Sequence, residues 1–140
     1  MKKIIVALAL LFVFNANAEN MYKMKLIRVV DGDTILFHAG WLPVELKPQI
    51  AIRVKGVDTP EKAPFAKCKA EVELSNKATE YVKNLVATSK DISVVIHDWD
   101  KYGGRLLGDV FVDDRNLSQL LVSNGFGRLY NGGTKKSWCE

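Results

Sequence analysis

Three short clusters of charged residues carry the chemistry available to this 140-residue chain. The first is Asp31-Gly32-Asp33-Thr34. Alone, Asp-Gly is a hairpin turn for local reasons. As chemistry, it is a carboxylate pair at a strand end facing a hard cation, and calcium takes the oxygen ligands that short turns deliver. The second runs from Arg53 through Val57-Asp58-Thr59-Pro60-Glu61. It packs a guanidinium, two carboxylates and a Pro-fixed backbone into one strand end. A carboxylate for a metal, a carboxylate for a water and an arginine for a phosphate are what metal-assisted phosphodiester hydrolysis needs. The third is Asp100-Lys101-Tyr102-Gly103-Gly104-Arg105. By itself it is a charged Gly-Gly hairpin. Beside the second it offers another arginine, and two guanidiniums bind opposite sides of one phosphate.

These residues need a frame. Met24 to Val30 reads as a strand that ends at Asp31-Gly32, and Thr34 to Phe37 reads as its hairpin partner. Ile50, Ile52 and Val54 alternate with Ala51, Arg53 and Lys55, giving a third strand with one apolar face. Pro60 and Pro64 break the chain. The period then changes. Ala70, Leu74, Ala78, Tyr81 and Leu85 share one face of a helix predicted from Lys67 to about Thr88. Ile92 to Ile96 and Arg105 to Val112 are a fourth and fifth strand. Asn116 or Ser118 caps a short helix that stops near Gly125. Periodicity alone therefore implies a small α+β domain, mostly β. The order, with a long helix between strands 3 and 4 and a short one after strand 5, suggests a five-stranded OB-fold barrel.

Taken together and in this order, Asp-Gly-Asp-Thr, Arg-x4-Asp-Thr-Pro-Glu and Asp-Lys-Tyr-Gly with a nearby Arg resemble the staphylococcal nuclease (thermonuclease) family. The likeness runs from Leu26 to about Tyr130. It implies an OB-fold, one Ca²⁺, and hydrolysis of DNA and RNA to products bearing 3′-phosphates. By motif, Asp33 and Asp58 resemble the metal carboxylates, with Thr59 adding its backbone carbonyl and Asp31 beside them. Glu61 resembles the carboxylate that positions or deprotonates the attacking water. Arg53 and Arg105 resemble the phosphate-binding arginines, and Lys101 and Tyr102 the nucleotide-contacting pair. Tyr130 is a candidate base-stacking ring. Two departures stand out. An extra glycine separates Tyr102 from Arg105, and one inserted residue in a strand reverses a side chain's face; in a turn, glycine absorbs it. The chain also ends soon after Tyr130, where the best-known members carry a helix, and it closes on Trp138-Cys139 like shorter exported relatives.

Met1-Lys2-Lys3, the apolar run Ile4 to Phe14 and Ala16-Asn17-Ala18 have the pattern of an export signal cleaved after Ala18. Residues 1–18 are then the leader and 19–140 one thermonuclease-like domain. Losing Lys2 and Lys3 lowers the net charge from +4 to +2. That is too weak to argue for nucleic acid, so the placement of charge must carry the case. The mature protein is expected outside the cytoplasm, periplasmic or secreted, monomeric and free of the membrane. Cys68 and Cys139 are an even pair in an exported chain, where an oxidising compartment favours bridging over two unpaired thiols; a Cys68–Cys139 disulfide is expected, and it would pin the shortened tail. His38 and His97 show no zinc spacing, and Ser123 and Ser137 have no triad partners. Two rivals remain. One is an inactive OB-fold module that only binds nucleic acid, and the other is an exported protein with a structural calcium. Neither accounts for Glu61 together with two arginines. Crowded carboxylates repel, so removing Asp33 or Asp58 is expected to spare or even stabilise the metal-free fold.

Overall fold

A computed structural model describes residues 20–46 and 48–139; the expected leader, 1–18, and its expected cleavage site lie outside them. β1 is Met21–Lys23, β2 Leu26–Asp31, β3 Thr34–His38, β4 Gln49–Val54 and β5 Val57–Asp58. Helix α1 spans Lys69–Ala87, followed by β6 Ile92–Trp99, β7 Arg105–Val112 and β8 Arg115–Asn116. Helix α2 is Leu117–Ser123 and β9 is Arg128–Leu129. The larger sheet has the order β1-β6-β7-β4-β3-β2, with β8 joined to β7, and β5 pairs separately with β9.

The expected helix positions are met: α1 lies between β4 and β6, and α2 follows β7. The fold is α+β and mostly β. The expected five-stranded closure is not among the pairings of the described residues. β6 has β7 on one side, and β1 occupies the other through Met21↔Val95 and its neighbours. That leaves β1 and β2 as the two ends of an open path.

One cross-strand row makes the centre of the core. Val29 faces Ile35, Ile35 faces Ile52, and Ile52 faces Leu106. Phe37, Val54, Val94, Val110, Leu117 and Leu121 complete a buried cluster around it. Asn116 Oδ1 caps α2 by accepting from the N–H groups of Ser118 and Gln119 at 2.9 and 3.3 Å.

The face expected for α1 holds in its second half, where Ala78 is buried and Tyr81 and Leu85 pack against the core, but not in its first turns. Glu71, Ser75, Ala78, Val82 and Val86 are buried, while Leu74 stays 37% exposed and Ala70 is exposed. The reason is polar. Glu71 Oε1 accepts from the Glu61 N–H at 3.1 Å and Oε2 accepts from the Lys67 N–H at 2.8 Å. The helix is rotated to bring this carboxylate under the loop that carries Glu61.

Cys68 and Cys139 form a disulfide across 71 positions. It ties the C-terminal tail to the start of α1. Closing a loop of that length is worth about 4 kcal/mol in the chain-entropy model. Reduction is therefore expected to lower the urea midpoint clearly. An unchanged midpoint would mean that the bridge does not constrain the unfolded chain.

Candidate active site

The sheet register sets the site. Arg53 lies on β4 between Thr34 of β3 and Leu107 of β7. Arg105 opens β7 opposite Ala51. Ala51 and Arg53 are two residues apart on one strand, so their partners point to the same face of the sheet. Arg53 and Arg105 thus share a face despite the extra glycine. Gly103 and Gly104 absorb it in the β6–β7 turn, with φ of 70° and 71° and free space where side chains would stand. Arg105 Nε donates to Asp100 Oδ2 at 2.6 Å and Nη1 donates to Thr34 Oγ1 at 3.3 Å. Arg53 is only 7% exposed. Its Nη1 donates to the Val54 carbonyl at 2.6 Å, and Nη2 sits 3.3 Å from Asp33 Oδ2.

Asp33 is fastened on several sides. Its Oδ2 accepts from the Thr59 N–H at 3.2 Å and from Thr59 Oγ1 at 2.8 Å, and Thr34 Oγ1 donates to its Oδ1 at 3.2 Å. The β2–β3 turn is thereby sewn to the residue next to Asp58. Gly32 is needed for this approach. A Cβ there would stand 3.0 Å from the Ala78 Cβ and 3.1 Å from Thr59 Oγ1. Asp31 Oδ1 accepts the Asp33 N–H at 3.3 Å. Burial, then the charge of Asp33, raises the Asp31 carboxyl above the ordinary aspartate range.

The structure brings Asp33, Arg53, Glu61, Lys101, Tyr102, Arg105 and Tyr130 to the wall of one cleft of about 650 Å³. Asp58 and Thr59 line an adjoining hollow that shares Glu61, Tyr102 and Arg105 with it. Lys101 and Tyr102 are exposed on the rim, with the Lys101 ammonium 5.0 Å from the Tyr102 ring centroid. Tyr130 is half-buried, and its hydroxyl donates to the Gly133 carbonyl at 2.9 Å.

Two residues absent from the sequence reading reach the same place. Lys135 Nζ lies 2.7 Å from Asp58 Oδ1 and 3.1 Å from Glu61 Oε1. Burial works to lower its pKa, but the hydrogen bonds and charges of Asp58 and Glu61 outweigh this and hold the ammonium above the ordinary lysine range. Trp138 Nε1 donates to Asp58 Oδ2 at 3.0 Å. Only the Trp-Cys ending hinted at this, and it gave no partner.

A cation suits the carboxylates. Asp58 Oδ1 is buried without an aligned hydrogen-bond donor; Lys135 serves it as a nearby charge. A buried carboxylate that already draws an ammonium to 2.7 Å, beside Asp33 and Asp31, is a place that favours positive charge. Among the described residues, three potential ligand atoms come within 4.8 Å of one another only at Cys68, Glu71 and Cys139. The two sulfurs there are consumed by the disulfide. A metal on Asp58 Oδ1 therefore requires the Lys135 ammonium to leave.

Residues 51–138 match the family described as staphylococcal nuclease homologue. The chain belongs to that family. Among curated proteins, it is 33% identical over 120 residues to Endonuclease YhcR of Bacillus subtilis, covering 81% of this chain and 9% of that protein. It is 31% identical over 140 residues to the Probable endonuclease LCL3 of Debaryomyces hansenii, covering 81% of this chain and 58% of the relative. It is also 36% identical over 85 residues to the Uncharacterized lipoprotein MG186 of Mycoplasma genitalium, covering 56% of this chain and 32% of that protein. The chain thus spans less than two thirds of each of these relatives.

Proposed function

We propose that this staphylococcal nuclease homologue is a Ca²⁺-dependent nuclease that hydrolyses phosphodiester bonds of DNA, and of RNA, to products with 3′-phosphates. The observation that supports it most is the shared face of Arg53 and Arg105, which sets two guanidiniums around one cleft with Asp33 and Glu61. Relatives named as endonucleases support the same reading. The strand–helix order agrees with an OB-type frame.

In this reading Asp33 and Asp58, with the Thr59 carbonyl, hold the Ca²⁺, which when bound supplies charge to the scissile phosphate and to a nearby water. Glu61 accepts a proton from the attacking water, after its Oε1 has been released by Lys135. Arg53 and Arg105 donate to the equatorial oxygens as their charge grows. The oxygen of water bonds to phosphorus, the bond to the 5′-oxygen breaks, that oxygen takes a proton from solvent to leave as a hydroxyl, and Glu61 returns its proton to solvent. Lys101 and Tyr102 hold the nucleotide at the rim, and Tyr130 offers a ring for a base. The rival reading, a binding module without catalysis, explains the rim but gives no task to Glu61 and a buried arginine.

We also infer that residues 19–140 act as an exported monomer. The leader pattern supports export, as does the likeness to a protein named as a lipoprotein. No described helix is long and apolar enough to cross a membrane.

The test is incubation of the pure protein with DNA and with RNA, in Ca²⁺ or in chelator. Degradation is expected only with Ca²⁺. The new ends should resist 3′ extension until a phosphatase is added. Equal degradation in chelator would overturn the metal, and none in either condition would overturn the enzyme.

A further inference from the structure

The chain returns to Asp58 from 80 positions away, through Trp138. The Asp58 side chain is 5% exposed, and among the described residues its one aligned hydrogen-bond donor is the Trp138 indole. The indole is itself held. The Arg128 guanidinium lies 3.8 Å from the Trp138 ring centroid, and Arg128 Nη1 donates to the Ser137 carbonyl at 2.8 Å. Arg128 is the direct strand partner of Asp58 in the β5–β9 pair. One residue beyond Trp138, Cys139 is bonded to Cys68 at the N-cap of α1. Between β9 and the end of the described chain there is no helix or strand. The segment is held by Arg128, by Lys135 on Asp58 and Glu61, and by the disulfide, not by a sheet or a helix.

A carboxylate anchored at one oxygen has its other oxygen aimed. Trp138 fixes Oδ2 of Asp58, so Oδ1 is the atom presented to a cation, and the Lys135 ammonium lies 2.7 Å from it. We propose that Trp138 is a positioning residue for Asp58, and that the Cys68–Cys139 disulfide is the latch that keeps it there. The inference rests on the reading of Asp58 as a metal carboxylate. A side chain that orients a metal ligand through a hydrogen bond sets affinity without touching the metal, and its loss commonly weakens binding 10–100-fold.

Calorimetric titration of Ca²⁺ into the whole mature protein tests this, with no substrate and no turnover involved. Trp138→Phe keeps a ring against Arg128 and removes only the N–H donor. Trp138→Leu removes both. If the donor matters, both variants bind Ca²⁺ roughly 10-fold more weakly than wild type. If only packing matters, Phe behaves as wild type and the proposal fails. Thermal unfolding and a mass check of the disulfide, run on each variant, show that the loss is local. Reducing the disulfide in otherwise native protein should weaken Ca²⁺ binding in the same way. It should add little in Trp138→Phe, because the two changes act on one contact. Full additivity would overturn the latch. A wild-type protein that takes up no Ca²⁺ would instead remove the metal role of Asp58, and this proposal with it. A wild type that binds while Trp138→Phe binds within twofold of it would remove the role of Trp138 alone.

Discussion

Arg105→Lys is expected to lower the turnover of phosphodiester hydrolysis on the order of 10²-fold while leaving the unfolding temperature close to wild type. Arg105 is 30% exposed at its side chain, and its partners are Asp100 and Thr34. Lysine keeps a positive charge for Asp100, whose side chain is 11% exposed, so the fold should lose little. A guanidinium aimed along a sheet face at a cleft has another use. It presents a planar fork of donors to a phosphate, which an ammonium does not reproduce. The penalty should therefore fall on kcat more than on KM, because the donors matter most as charge develops in the transition state. Arg53→Lys and Glu61→Gln should match it in size. Arg53→Lys is a less clean experiment, since Arg53 also holds Asp33 and the Val54 carbonyl. Its unfolding curve must be read beside its kinetics. Lys101→Ala, on the open rim, should act mainly on KM. Steady-state hydrolysis of a defined oligonucleotide decides among these. An Arg105→Lys enzyme near wild type beside a dead Arg53→Lys enzyme would end the two-arginine arrangement.

How much of this was legible beforehand depends on distance along the chain. β7 was readable to the residue, from Arg105 to Val112, because a glycine turn and strand alternation are local signals. The cap of α2 was readable for the same reason. β1, β5 and β9 were not. Strands of two or three residues carry no period, and each exists only because a distant partner is there. The face of α1 was legible at Ala78, Tyr81 and Leu85 but not in the first turns, because apolar periodicity assumes that buried means apolar. Glu71 is buried to satisfy two backbone N–H groups in the loop ahead of it. In the site, the motif residues were legible and their supports were not. Arg53 was legible as a motif arginine, but its burial against a carboxylate 20 positions upstream was not. Lys135 and Trp138 belong to no motif. They arrive through the disulfide and the turn after β9, and nothing in their neighbours foretells Asp58.

Asp33→Ala is expected to destabilise the metal-free protein by about 3–5 kcal/mol, the reverse of what carboxylate crowding suggests. Crowding is real at Asp31, whose carboxyl is raised by burial and by Asp33. At Asp33 it is outweighed. The Arg53 guanidinium is buried against this carboxylate, with side-chain exposures of 9% and 11%. Removing the acid strands a positive charge in a site that water scarcely reaches. It also takes the acceptor from the Thr59 N–H and hydroxyl. Asp33→Asn separates the two effects. Its side-chain oxygen still accepts from Thr59, so the remaining loss measures the stranded charge of Arg53. Asp58→Ala should cost less, about 1–3 kcal/mol. Its neighbours there are the Trp138 indole and Lys135, whose side chain is 40% exposed and is able to turn to water. Urea unfolding in chelator gives these numbers. Repeating it in Ca²⁺ adds a second readout, since a ligand that binds only the folded state raises stability with its concentration. Wild type should gain, and both alanine variants should gain far less. An Asp33→Ala protein as stable as wild type in chelator would show that Arg53 finds another partner. The Asp33–Arg53 pair would then not be what holds the β2–β3 turn against β4.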